Sequence, residues 1–254
     1  MIIDSHIHLN APDYANELDA LLAEAVQSGV GTFISVGAGY GAKSAKEAVA
    51  LANNYDFIYA SVGIHPNDAN EEIDFSEIEN LAKEEKVVAI GETGLDYYWN
   101  RTSKENQKKY FLKQIELAKK VQKPLIIHSR EAGRDCLDIL IKNSAQEVGG
   151  VFHCFAEDEN FAKELKKINF KVSFTGALTF KNAAETRRIF KEIPLEQILI
   201  ETDGPFLAPM PYRGKLCRPS YIIETAKKMA EIKDLKLEEL CAILETNTRS
   251  FYKI

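Results

Sequence analysis

Apolar residues in this chain come in two rhythms that alternate from one end to the other. Short runs rich in Ile, Val and Phe recur at "MIIDSHIH", "GTFISVG", "FIYASVGIH", "VVAIGE", "PLIIHS", "GVFHCF", "KVSFTG" and "QILIETD". Several are nearly continuous apolar runs, the pattern of strands buried on both faces of a parallel sheet. Between them lie longer segments of helical period: "YANELDALLAEAVQSG", "AKSAKEAVALANN", "FSEIENLAKEE", "SKENQKKYFLKQIELAKKVQ", "AGRDCLDILIKN", "ENFAKELKKI" and "NAAETRRIFKEI". Two more helical stretches, "SYIIETAKKMAEI" and "KLEELCAILETNTRSFY", close the chain. Eight strands, each followed by a helix, predict an α/β fold, a (β/α)₈ TIM barrel, with residues 1–254 forming a single domain. A doubly wound open sheet is the alternative, because a strand count does not by itself prove closure. Thr102 with Glu105, and Ser76 with Glu79, have capping-box spacing and predict helix starts. Pro124 is expected to end one helix and begin a strand.

The rare residues fall at telling places on this map. The chain has five histidines, and each is expected at the C-terminal end of a strand. His6 and His8 close the first run, His65 the third and His128 the fifth, and His153 lies near the end of the sixth. Residues i and i+2 of a strand share a face, so His6 and His8 present two imidazoles side by side. Glu92 follows the fourth strand and Asp203 the eighth. In a barrel those ends share one rim, the one that carries active sites. Singly, a histidine at a strand end is commonly a hydrogen-bonding loop residue, and an Asp there commonly a cap. Jointly, five histidines on one rim and none in the helices point to metal binding. Imidazole and carboxylate together suit Zn²⁺, Mn²⁺, Fe or Mg²⁺. Four histidines and two carboxylates exceed the needs of one tetrahedral ion, whereas a bridging glutamate suits two. Such a site makes its nucleophile from water, so no Ser or Cys nucleophile is needed. The expected reaction class is metal-assisted hydrolysis.

Composition narrows the setting. A formal net charge of −6 over 254 residues excludes a strongly basic nucleic-acid grip, so a polyanionic substrate must be held locally or through metal. The four cysteines, Cys136, Cys154, Cys217 and Cys241, have no CxxC spacing and suggest reduced thiols in a cytoplasmic protein. The opening residues lack the features of a signal peptide, and no apolar run nears the roughly 20 residues of a membrane span. Neither a membrane partner nor an obligate protein partner is expected.

The motifs "DSHIHL", "VGIHP", "AIGETGLDYY", "PLIIHSR", "FHCF" and "LIETDGPFLAP" run from residue 4 to about residue 220, and "NTRSFY" ends the chain. In this order they resemble the motif series of the TatD-type metal-dependent deoxyribonucleases, within the amidohydrolase-like barrels. The resemblance implies that His6, His8, Glu92 and Asp203 hold one divalent metal, with Glu92 bridging to a second held by His128 and His153. It implies two divalent ions per chain, Mg²⁺, Mn²⁺ or Zn²⁺. Asp203 would act as general base and, with Glu92, form the catalytic pair, while His65 and Arg130 contact the scissile phosphate. Asp96, in the matching "GLDYY", is either support behind a ligand or a surface-loop carboxylate. Where the family carries an Arg-Gly-Lys-Arg-Asn-like run, this chain reads "YRGKLCRP". Arg213, Lys215 and Arg218 are thus phosphate contacts or a solvated basic loop.

The implied activity is a deoxyribonuclease of 3′–5′ exonuclease type that cleaves DNA phosphodiesters with a metal-activated hydroxide. Its substrate would be single-stranded DNA or 3′ ends, and Tyr97, Tyr98, Trp99 and Phe206 are candidates to stack bases. The same site would also suit an ester or amide hydrolase, such as a D-aminoacyl-tRNA deacylase. A non-enzymatic, metal-storing barrel is the remaining alternative.

Overall fold

The computed structural model of the chain describes residues 1–41, 43–69, 74–99 and 101–254. Its strands are β1 (Ile2–Ile7), β2 (Val30–Gly37), β3 (Ile58–Val62), β4 (Val87–Asp96), β5 (Leu125–Arg130), β6 (Gly150–Phe152), β7 (Phe170–Phe174) and β8 (Ile198–Ile200). Between them run α1 (Leu18–Gln27), α2 (Ser44–Asn54), α3 (Phe75–Leu81), α4 (Lys104–Val121), α5 (Gly133–Lys142), α6 (Glu159–Lys167) and α7 (Ala184–Glu192), followed by α8 (Ile222–Lys233) and α9 (Leu237–Tyr252). The first residue of the second expected helix, Ala42, lies outside the described residues.

Seven parallel ladders join the strands in the order β1 to β8. The seam between β8 and β1 is sewn differently. Asp4 accepts from Thr202 through both the backbone N–H (3.0 Å) and the hydroxyl (2.6 Å), and Ser5 Oγ donates to the Ile200 carbonyl (2.8 Å). Asp203 N–H donates to the His6 carbonyl (3.0 Å) and His8 N–H to that of Gly204 (2.8 Å). This is a (β/α)₈ barrel, and the polar residues of "IIDSHIH" help close it.

Alternation along the strands sorts the apolar residues into two layers. Phe33, Val62, Leu125, Phe152 and Ile200 belong to the large cluster between sheet and helices, with Phe111 of α4 and Phe190 of α7. Ile34, Val88, Ile126, Val151 and Leu199 form a second cluster with Tyr252 of α9. Burying a Phe or Ile side chain contributes roughly 1.5–3 kcal/mol, so both layers are strong determinants of the fold.

Two helix starts differ from the capping-box expectation. α4 is capped by Ser103, whose hydroxyl accepts from Asn106 N–H, because the Thr102 hydroxyl is turned inward to donate to the Pro66 carbonyl (2.7 Å). α3 is capped by Asp74, which accepts from both the N–H and the hydroxyl of Ser76. Among the described residues, no helix is long and apolar enough to cross a membrane, and the four cysteines are free.

Candidate metal centre

All five histidines, Glu92 and Asp203 gather at the C-terminal rim, though the strands do not all reach them. His6, Glu92 and His128 stand inside β1, β4 and β5, while His8, His65, His153 and Asp203 lie just beyond strand ends. The chain leaves the sheet there for local reasons. His65 precedes Pro66 and caps the short turn Pro66–Asp68. Asp203 and, after His153, Cys154 take left-handed backbone angles, φ 56° and 46°, which no strand continues.

Glu92 lies at the middle and shows a different oxygen to each half of the site. Its Oε2 is 3.5 Å from His6 Nε2 and 3.7 Å from His8 Nε2. Asp203 Oδ1 faces the same two nitrogens at 3.6 and 3.7 Å. Glu92 Oε1 is 2.8 Å from His128 Nδ1 and 2.8 Å from His153 Nε2, which are 3.3 Å apart. Ligands placed tetrahedrally at the ~2.0–2.1 Å Zn–N distance are themselves separated by ~3.4 Å, close to the spacing of the first group. His6 Nε2 is buried there without a hydrogen-bond partner, a state that costs ~1–3 kcal/mol unless something fills it. The donor set therefore fits a divalent cation.

A shell of carboxylates backs the imidazoles. Asp96 Oδ2 meets His128 Nε2 at 3.0 Å; burial opposes the imidazolium, but Asp96 and Glu92 together favour it, and a cation at Nδ1 would displace the proton facing Glu92. Glu201 stands behind His153 as a charge rather than a hydrogen-bond partner: its Oε1 lies 3.6 Å from Nδ1, which is buried without one. Glu201 is itself buried and held by Cys154 N–H (2.7 Å) and the Ser173 hydroxyl (2.6 Å). Sequence reasoning missed Glu201, yet parity could have found it. Ile126 and Val151 of the second cluster are each followed two residues later by His128 and His153, and Leu199 is followed by Glu201.

His65 is close to this centre, 3.4 Å from Glu92 Oε1, but its chemistry differs. Asn67 N–H donates to His65 Nδ1 (3.0 Å), so in the neutral ring the proton sits on Nε2. His65 therefore offers the centre a donor rather than a lone pair. Although His65, Glu92 and His128 are clustered closely enough to hold an ion, that tautomer excludes His65 as a ligand.

Charge follows the same division. Burial and the neighbouring His6 push His8 down to about 3, so its ring is neutral and able to ligate. Burial opposes ionisation of Glu92, but His153 and His65 hold it well below the usual carboxylate range. Burial pushes Asp203 up to about 6. For Asp96 burial is outweighed by hydrogen bonds from His128 and Trp99 N–H, which bring it to about 2. Burial disfavours the His153 imidazolium, yet Glu92 and Glu201 raise it well above the ordinary histidine value. His153 thus holds a positive charge among carboxylates, the place a cation takes on displacing that proton.

The outer residues sort less uniformly. Arg130 is exposed on the rim, its guanidinium 4.0 Å from the centre of the Tyr98 ring. Tyr97 is withdrawn from the mouth: its hydroxyl donates to Asp135 (2.6 Å) and Lys104 covers its ring at 3.9 Å. Phe206 is exposed, 6.4 Å from the His8 ring. In the basic loop, Arg218 pairs with Glu24 and Glu17, and Arg213 lies over Phe180 at 4.2 Å. Arg218 is thereby committed to α1 rather than to the rim.

Barrel, ligand-type cluster and supporting carboxylates together define a metal-dependent hydrolase. The chain belongs to the TatD related DNase family, whose model matches residues 3–253. It is 43% identical over 256 residues to the metal-dependent hydrolase YabD of Bacillus subtilis, covering all of both chains. It is 37% identical to the metal-dependent hydrolase YcfH of Escherichia coli K12, covering 100% of this chain and 96% of that one. Among solved structures it resembles the TatD homologue YjjV of Escherichia coli K12, with TM-score 0.92, 30% identity, and 100% and 98% of the two chains covered.

Proposed function

We propose that this protein is a divalent-metal phosphodiesterase that trims DNA from strand ends, a deoxyribonuclease of 3′–5′ exonuclease type working in the cytoplasm. The observation that carries the reading is Glu92, whose two oxygens each face a separate group of ligand atoms. His6, His8 and Asp203 would hold one ion and His128 and His153 a second, bridged by Glu92. Two such ions lower the pKa of water and neutralise charge on the attacking and leaving oxygens. The family description names a DNase, and the formal charge of −6 suits a strand end entering a rim pocket better than a duplex gripped along its length.

The chain's own residues supply the rest. Asp203, with 14% of its side chain exposed, would take a proton from water as general base. His65 Nε2–H is a donor aimed at the centre and suits an oxygen of the scissile phosphate. Arg130, at the rim end of β5, would hold a neighbouring phosphate oxygen.

The test is cleavage of end-labelled single- and double-stranded oligonucleotides with Mg²⁺ or Mn²⁺. Stepwise shortening from the 3′ end is expected, falling ~10²–10⁴-fold in Asp203→Asn. DNA left intact, with an aminoacyl-tRNA or simple ester hydrolysed instead, would overturn the phosphodiesterase reading in favour of an ester hydrolase.

A further inference from the structure

The turn after β4 leaves two aromatic side chains in water, Tyr98 at 51% and Trp99 at 43% exposure. Trp99 is the single tryptophan of the chain. Neighbouring large exposed rings on a functional rim mark a binding surface more often than scattered ones do. These two are also fixed in place. Asp96 Oδ1 accepts from the backbone N–H of Tyr98 (3.0 Å) and of Trp99 (2.9 Å), while its other oxygen meets His128 Nε2 (3.0 Å). One carboxylate thus sets the aromatic turn at a constant offset from the metal centre.

Cations complete the surface. The Arg130 guanidinium lies 4.0 Å from the Tyr98 ring centre and 5.6 Å from that of Trp99, and Arg101 is 5.4 Å from Trp99. The two rings meet edge to face at 4.9 Å, so Tyr98 braces the indole. Exposed π-faces interleaved with arginine are what single-stranded nucleic acid binds, bases on the rings and phosphates on the cations. A small anionic ester has no use for such rings, and a paired base keeps its faces inside the duplex stack.

We propose that Trp99, buttressed by Tyr98, is a nucleobase platform: the unpaired base beside the scissile phosphate stacks on the indole while Arg130 holds the phosphate. This deepens the phosphodiesterase reading and rests on it. The platform selects unpaired over paired ends and tolerates any base, since every base has a π-face.

As the sole tryptophan, Trp99 reports on its own occupancy. The metal-loaded protein is titrated with a phosphorothioate hexathymidylate and with a chain of equal length built from abasic tetrahydrofuran units. Expected is quenching of tryptophan emission by the first and little by the second. Affinities of wild type and variants are read by anisotropy of the two chains carrying a fluorescent label: in Trp99→Ala, binding of the thymidylate should weaken roughly tenfold, about one stacked base, with the abasic chain unchanged within twofold. Trp99→Phe, which keeps a stacking face, should recover most of the loss. Equal quenching by both chains, or unaltered thymidylate affinity in Trp99→Ala, overturns the platform, as does failure of the thymidylate to bind. Base-dependent quenching without cleavage of any diester leaves the platform standing and overturns the phosphodiesterase reading. Cleavage without base dependence does the reverse.

Discussion

Replacing Glu201 with glutamine should weaken cation binding far more than it weakens the fold. The side chain is buried and shares its two oxygens among Cys154 N–H (2.7 Å), the Ser173 hydroxyl (2.6 Å) and His153 Nδ1 (3.6 Å). Glutamine has the same shape and retains a carbonyl oxygen for Cys154, and the Ser173 hydroxyl can rotate to accept from the new amide. What disappears is the negative charge behind His153. Loss of such an outer partner lowers metal affinity ~10–100-fold, or about 1.4–2.7 kcal/mol. The metal-free protein should lose only about 1 kcal/mol, one ordinary hydrogen bond. Glu201→Ala is different, because it leaves two buried donors unsatisfied at ~1–3 kcal/mol each, and should cost about 2–6 kcal/mol of stability. Competition with a fluorescent Zn²⁺ chelator reads the affinity, and urea unfolding of the metal-free protein reads the stability. Wild-type affinity in Glu201→Gln, within twofold, would show that the charge behind His153 does nothing for the cation.

Three further outcomes follow from particular contacts. Gly94 has φ +135°, and a Cβ there would stand 2.1 Å from the His128 carbonyl oxygen, so Gly94→Ala should cost about 3 kcal/mol or more in urea unfolding and loosen cation binding; a variant within 1 kcal/mol of wild type would show the close approach to be dispensable. Arg218 is engaged by Glu24 of α1 and by Glu17 at its N-cap, so Arg218→Ala should leave cleavage within twofold and change stability by less than about 1 kcal/mol, whereas a large rise in KM would restore it as a phosphate contact. Stripping metal with a chelator should lower the melting temperature by about 5–10 °C: a site at 100 times its dissociation constant contributes ~2.7 kcal/mol, and each kcal/mol moves Tm ~2–4 °C at this size. An unchanged melting curve would mean that the rim histidines hold no ion.

Periodicity made the barrel legible because parallel strands buried on both faces are nearly all apolar, and each was separated from the next by a helix-length segment. The rim residues were legible because the chain has so few histidines and all of them follow strand signals. Exact ends were not. "FIYASVGIH", "GVFHCF" and "QILIETD" read as strands through their functional residues, yet β3, β6 and β8 end three, one and three residues before His65, His153 and Asp203. The turns responsible depend on left-handed angles at Cys154 and Asp203, residue types that do not announce them. Thr102 has the spacing of a cap but spends its hydroxyl on Pro66, a partner 36 residues away that no local pattern reveals. Asp96 could be read as support or as surface, and only the fold brings its carboxylate to both His128 and the backbone of Trp99. Glu201 stood in plain view two residues before Asp203, obscured by the stronger signal of its neighbour.

Whether Glu92 joins two cation sites is read by anomalous scattering from crystals soaked in Mn²⁺. Two peaks ~3.5–4 Å apart are expected, one among His6, His8 and Asp203 and one between His128 and His153, each touching a different oxygen of Glu92. His65 Nε2 should touch neither. A single peak, or a peak ligated by His65, would contradict it.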